Sequence, residues 1–242
     1  MILSCVGCGP GDPDLLTVKA VKLIKNAEVI FAPTAKEGRP SIALSVVQSY
    51  LTKSTKTINL IFPMIKDKQS LKVYWRKNAK LIADEVRSGK NVVYLTVGDP
   101  SLYSTWIYIY RELQDNHKDV PVDIVPGVPS ICAFAAEVKL SLAEGDETVA
   151  IVPACYDLDK VSRTSTVCDN IVFLKDGRHF DSVLNILSET GFPKDSTIAI
   201  AQDVGTQGEV IKMRRLEEFY GKTGPAEKYF SIMVAKKKSD RK

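Results

Sequence analysis

Histidine is almost missing from this 242-residue chain, which has only His117 and His179. That leaves no second ligand pair to complete a zinc site with Cys5-x-x-Cys8, and no Ser-His-Asp or metal triad is evident. Cysteine is odd in number and scattered, at positions 5, 8, 132, 155 and 168, which argues against a disulfide framework. A redox Cys-x-x-Cys would open a helix, whereas this one ends a strand; small residues in a tight strand-loop account for it. No apolar run approaches a membrane span, and no charged-then-apolar leader precedes the first strand. The expectation is a cytoplasmic protein with no membrane partner. No basic stripe interleaved with aromatics appears, so no nucleic-acid partner is expected either. Internal repeats and low-complexity segments are lacking.

What is there is ordinary globular composition, 45% hydrophobic and 26% charged. The net charge of +4 is unevenly spread: residues 1–125 carry 17 basic against 12 acidic side chains, residues 126–242 carry 16 against 17. A modestly basic front half suits a small polyanionic ligand. That half predicts strands at 2–6, 27–32, 56–60, 91–97 and 121–125, alternating with helices at 15–25, 40–51, 68–88 and 103–115. Beyond the turn at Pro126-Gly127 the pattern is richer in strand: 148–153, 170–174, 197–201 and 229–235, with helices at 131–138 and 181–189. The expected architecture is two α/β domains, 1–126 and 127–242, the second with a mixed sheet.

The first strand runs into Gly7-Cys8-Gly9-Pro10-Gly11-Asp12-Pro13 and then a helix. Strand, glycine loop and helix bring a backbone close to a ligand, because glycine has no Cβ to block the approach. A Rossmann nucleotide loop would need an acid at the end of the second strand, for a ribose hydroxyl. Here Glu28 opens that strand, the third helix-packing glycine is missing, and Pro10 and Pro13 stiffen the loop. A second loop, Gly98-Asp99-Pro100-Ser101-Leu102-Tyr103, follows the most apolar strand, at the edge where open α/β sheets bind ligands. Asp99 can cap the helix after it or face a ligand cation.

Gly9-Pro10-Gly11-Asp12-Pro13-x-Leu15-Leu16-Thr17, Gly98-Asp99-Pro100-x-x-Tyr103 and Val125-Pro126-Gly127-Val128-x-Ser130 occur in this order, each at a strand end. Together they resemble the tetrapyrrole methylase family over essentially the whole chain. Pro40-Ser41-Ile42-Ala43-Leu44, Phe62-Pro63-Met64, Leu142-Ala143-Glu144-Gly145-Asp146 and Lys175-x-Gly177-Arg178-His179 are similar to the branch that methylates carbon 20 of precorrin-2 or cobalt-factor II.

The resemblance implies an S-adenosylmethionine-dependent C-methyltransferase of cobalamin biosynthesis, yielding S-adenosylhomocysteine, with its site in a cleft between two α/β domains of a homodimer. It implies cofactor contacts at Pro10, Val97, Gly98, Asp99, Leu102, Pro129, Ser130, Lys175, Val204 and Ser231. Pro129 replaces the family's usual hydroxyl residue, and Lys175 stands where many relatives have methionine. Methyl transfer from a sulfonium to a nucleophilic meso carbon needs alignment of two ligands and removal of a proton. Gly11, Asp12, Lys36, Arg39, Arg178 and His179 are the candidate contacts to the small-molecule tetrapyrrole and its carboxylates. Asp12, Asp99 and Tyr103 are the candidate catalytic proton acceptors, with Asp14 and solvent as alternatives. Capping explains the aspartates equally well, and core packing the tyrosine. Two rival functions stay open: another methylase of the family, acting on a different carbon or in the manner of diphthine synthase, and a non-catalytic nucleotide-binding module.

Overall fold

The computed structural model of the chain describes residues 1–153, 157–174, 179–202, 208–219 and 231–238. It divides into two compact units, Met1–Ser130 and Ile131–Lys242. Both are α/β.

The first unit holds five strands, β1 (Leu3–Gly7), β2 (Val29–Thr34), β3 (Lys56–Ile61), β4 (Val92–Thr96) and β5 (Val122–Val125). They lie in the order β3-β2-β4-β1-β5, every pair parallel. Strand alternation sends Leu3, Cys5, Val29, Phe31, Val92 and Tyr94 to one face, against α3 (Lys68–Arg87) and α4 (Trp106–Asn116). Val6, Ile30, Ala32, Val93 and Leu95 go to the other, against α1 (Val18–Lys25) and α2 (Ile42–Val47). Helices on both faces explain why β1 and β4 read as unbroken apolar runs.

Three helices of the first unit, α1, α2 and α4, begin two or three residues later than the periodicity predicts, whereas α3 begins at Lys68 as expected. Thr17 Oγ1 accepts the Ala20 N–H at 3.1 Å, so α1 starts at Val18 rather than Leu15. A single 3-10 turn, Pro13–Leu15, fills the gap, and its N-cap is Asp12. Ser41 caps α2 in the same way. The helix predicted from Tyr103 begins only at Trp106, and Asp99 does not cap it.

The second unit carries β6 (Val149–Pro153), β7 (Asn170–Leu174), β8 (Thr197–Gln202), β9 (Val210–Arg215) and β10 (Ser231–Lys236), in the order β6-β7-β10-β8-β9. Only β6 and β7 pair in parallel; β10 runs antiparallel to β7 and β8, and β9 antiparallel to β8. The sheet of these described strands is mixed. Its helices are α5 (Ser130–Glu137), α6 (Leu158–Val167) and α7 (Phe180–Thr190).

Two of these elements were not predicted. Helix α6 contains Ser162, Thr164, Ser165 and Thr166, poor helix formers whose hydroxyls compete with the backbone. It forms because Asp157 caps it and Val161 is buried in the same core as Val183, Leu184 and Leu187 of α7. Strand β9 is an exposed edge bearing Lys212, Arg214 and Arg215, charges that guard an edge and hide the strand pattern. No described helix is long and apolar enough to cross a membrane.

Candidate ligand-binding site at the sheet edge

Neighbouring strands β1 and β4 send their helices to opposite faces, α1 to one and α4 to the other. Their carboxyl ends therefore form a topological switch point, where open α/β sheets bind ligands. The two loops leaving it are joined by main chain. Gly98 N donates to Gly9 O at 2.7 Å, Gly9 N donates to Gly98 O at 3.3 Å, and Cys8 N donates to Thr96 O at 2.8 Å.

Gly127, just past β5, brings in a third loop. A Cβ on Gly7 would stand 2.6 Å from Gly127 N and 2.7 Å from Gly98 O, so these backbones pack with no room for a side chain. Gly98 is different. Its φ is +71°, and no heavy atom lies within 4 Å of where its Cβ would be. One side of the Gly98 backbone is thus anchored by Gly9 and the other faces open space, which is a cradle a Cβ would fill.

Asp99 locks the arrangement. Its Oδ1 accepts the Ser101 N–H at 2.8 Å and also the Ser101 hydroxyl, while its Oδ2 accepts the Gly127 N–H at 2.9 Å. Partial burial pushes the carboxyl up, but the bonds from Ser101 and Gly127 outweigh it and hold the group below the usual aspartate value. Thr96 Oγ1 and Ser104 Oγ lie 2.8 Å apart, and Ser104 Oγ accepts the N–H of Trp106, the first residue of α4, at 3.1 Å, while the N-cap residue Thr105 makes no side-chain capping bond.

Other candidate residues of the first unit line the same edge. Pro10 is buried; Gly11, Val97, Leu102, Pro129 and Ser130 are half-buried. Asp12 is exposed, and its Oδ1 accepts the Asp14 N–H at 2.9 Å, the capping alternative. Tyr103 is 47% exposed with a φ of 49°. Lys36 and Arg39 are exposed in the loop after β2, and among the described residues neither has an ion-pair partner. In the second unit His179 precedes α7, its carbonyl accepting the Val183 N–H at 2.9 Å, and Ser231 opens β10 opposite Gln202. Lys175, Arg178 and Val204 lie outside the described residues.

Sequence reasoning passed over Gly7 and Gly127 as site-forming residues, and also Ser101 and Thr34. The signal for Gly127 was present in Pro126-Gly127. Thr34 had none: its hydroxyl lies 3.2 Å from Lys36 O and 3.0 Å from Arg39 O, fastening the basic loop from within β2. Cys5 and Cys8 are fully buried, and burial pushes both thiols up, Cys8 to about 12. They are packing residues here, as small side chains in a tight strand end should be.

Residues 3–220 match the family of tetrapyrrole (corrin/porphyrin) methylases, and the chain belongs to that family. A relative in Methanocaldococcus jannaschii, a probable cobalt-precorrin-2 C(20)-methyltransferase, is 35% identical over 88% of this chain and 87% of its own length. A cobalt-precorrin-2 C(20)-methyltransferase of Salmonella typhimurium is 31% identical over 78% of each. Among solved structures, the uroporphyrin-III C-methyltransferase of Thermus thermophilus complexed with S-adenosyl homocysteine has a TM-score of 0.68 at 22% identity, covering 98% of this chain and 97% of that one.

Proposed function

We propose that this chain methylates carbon 20 of precorrin-2 or cobalt-factor II with S-adenosylmethionine, a step of cobalamin biosynthesis. The observation that carries the reading is Gly98, whose backbone is held by Gly9 on one side and open on the other. Such a cradle fits a ligand that must approach main chain closely. The names of the two C(20)-methyltransferase relatives supply the substrate class.

Pro10, Val97, Gly98, Asp99, Leu102, Pro129 and Ser130 would hold the cofactor, with Lys175, Val204 and Ser231 as further contacts from the second unit. S-adenosylmethionine supplies a methyl group on a sulfonium, so transfer to a nucleophilic carbon is governed by alignment. Asp99 spends its oxygens on Ser101 and Gly127 and serves as the clamp that fixes the loops. Those bonds also lower its basicity, making it a poorer proton acceptor than an ordinary aspartate. Asp12, Tyr103 or solvent takes the proton.

Lys36 and Arg39, with Arg178, His179 and Gly11, would meet the acetate and propionate groups of the substrate. A homodimer working in the cytoplasm completes the reading. The test is a methylation assay with S-adenosylmethionine and either tetrapyrrole, in which the product gains about 14 Da at carbon 20. Product methylated elsewhere points to another member of the family. Tight binding of S-adenosylhomocysteine with no methyl transfer to either tetrapyrrole overturns the assignment.

A further inference from the structure

Thr105 stands at the N-cap of α4, where a threonine hydroxyl ordinarily accepts an N–H of its own helix. It makes no such bond. Its Oγ1 lies 3.2 Å from the Tyr94 hydroxyl instead, across to β4. One residue earlier, Ser104 Oγ lies 2.8 Å from Thr96 Oγ1 on the same strand. Tyr94 and Thr96 are two apart on β4 and so share one face of the sheet. The chain leaving β4 therefore returns to the strand it came from, and two hydroxyl pairs close the neck of the loop 97–103.

Packing requires neither hydroxyl of β4. Tyr94 is fully buried with its ring 5.1 Å from that of Trp106, a place a phenylalanine ring would fill as well. Thr96 is buried at the end of a strand that is otherwise Val, Val, Tyr and Leu, and valine has nearly its shape. Its main-chain bond is independent of the side chain, since Thr96 O accepts the Cys8 N–H. Two buried hydroxyls thus stand where apolar groups of the same shape would serve the core, and what they add is directional bonding. Burial pushes the Tyr94 phenol up, so it stays protonated across the neutral range.

The loop closed in this way carries Gly98 and Asp99. Their ties to Gly9 and Gly127 hold it sideways, to the loops after β1 and β5. The hydroxyl pairs hold it back to β4 itself. We infer that Tyr94 and Thr96 are positioning residues for the cofactor: through Thr105 and Ser104 they fix the loop in the form that receives S-adenosylmethionine. Both are buried in β4, and each acts through a hydroxyl of the returning segment rather than on the ligand. A helix cap forgone at Thr105 for a bond to the strand is a local rule broken at a ligand loop, where such departures are expected. The inference rests on the methyltransferase reading, in which this loop holds the cofactor.

The test compares Tyr94→Phe, Thr96→Val, the double variant and Thr96→Ser with the wild-type chain. Each is measured for S-adenosylhomocysteine affinity by calorimetry, KM for S-adenosylmethionine, kcat and melting temperature. Loss of a hydrogen bond of ordinary strength should weaken S-adenosylhomocysteine binding about fivefold in Tyr94→Phe and in Thr96→Val, and about tenfold or more in the double variant. KM for S-adenosylmethionine should rise alongside, with kcat within about twofold of wild type. Thr96→Ser should bind as the wild type does, because the hydroxyl remains. If the double variant keeps wild-type affinity and KM, the inference is overturned while the functional reading stands. A lower melting temperature in that case means that the hydroxyls serve the fold alone. Should the double variant not fold, wild-type affinity in both single variants overturns it equally. Binding as weak in Thr96→Ser as in Thr96→Val overturns it too, since packing of the threonine methyl would then be what matters. A wild-type chain that binds no S-adenosylhomocysteine removes the reading and this inference together.

Discussion

Asp99 reaches from the loop after β4 to the loop after β5, where its Oδ2 accepts the Gly127 N–H at 2.9 Å. The same carboxylate holds Ser101 through its other oxygen. One side chain thus fixes two of the three loops at the switch point, and the Gly9–Gly98 bridge fixes the third.

Asp99→Asn keeps the shape but offers one acceptor oxygen in place of two, so either Ser101 or Gly127 meets an NH2 group. Losing one charge-assisted bond of about 1.5–3 kcal/mol should weaken S-adenosylhomocysteine binding by about tenfold or more, read by calorimetry. The effect on stability depends on pH with a definite sign. The folded carboxyl titrates below its ordinary value of 3.8, so its stabilisation is present above that value and is lost as pH falls through the lower folded one. The urea-midpoint gap between wild type and Asp99→Asn should therefore be full near about pH 7 and close in strong acid.

The three loop glycines should respond differently to alanine. Gly7→Ala and Gly127→Ala drive a Cβ into backbone that cannot step aside, with Gly127 N only 2.6 Å from the Cβ of the first. Overpacking of this kind costs about 1–3 kcal/mol or more, so thermal melts should fall for both. Gly98→Ala meets no neighbour and suffers only its left-handed φ, a cost of about 1–2 kcal/mol. It should fold, yet lose S-adenosylhomocysteine binding because the methyl group occupies the open side of the cradle. Wild-type affinity in Gly98→Ala would mean that no ligand approaches there.

This contrast marks how far the sequence could be read. Gly9, Gly98 and Asp99 were legible because each sits in a short motif beside an apolar strand. The contact of Gly7 with Gly127 was not, since it depends on β5 pairing with β1 in parallel, from Leu3 opposite Val122 to Val6 opposite Val125. No local pattern encodes a register between segments so far apart. Asp99 itself was read as a possible helix cap; a one-dimensional pattern cannot distinguish a cap from a clamp on a distant loop. The parallel sheet was readable because burial on both faces leaves plain apolar runs, whereas α6 and β9 depend on tertiary partners for what their composition disfavours.

Thr34 offers a test of the basic loop that leaves its charges in place. Removing the hydroxyl in Thr34→Val frees the carbonyls of Lys36 and Arg39 from their anchor. A lost bond of about 1 kcal/mol should raise KM for the tetrapyrrole about fivefold, with kcat and S-adenosylhomocysteine affinity unchanged. Thr34→Ser should restore KM. If Thr34→Val shows no change in KM, the loop does not depend on this anchor to meet the substrate.

In the second unit, Lys236 holds the 141–147 loop against β10. Its ammonium donates to Ser141 O at 3.1 Å, Glu144 at 3.1 Å and Glu147 at 3.0 Å, with its side chain only 12% exposed. Glu147 also accepts from Asn170 Nδ2 at 3.0 Å, and the bonds from Asn170 and then Lys236 hold its carboxyl below the usual glutamate value. Lys236→Met leaves that carboxylate without its cation, so the melting temperature at neutral pH should fall. A depressed pKa means that the pair's stabilisation exists above the unfolded glutamate value and disappears as pH drops through the folded one. The deficit of Lys236→Met should accordingly shrink in acid, where a protonated Glu147 needs no counter-charge. Adding Glu147→Gln should recover much of the loss at neutral pH by removing the stranded charge while keeping an acceptor for Asn170. A deficit equal at all pH values, and not relieved by Glu147→Gln, would mean that the lysine stem's packing matters here rather than its charge.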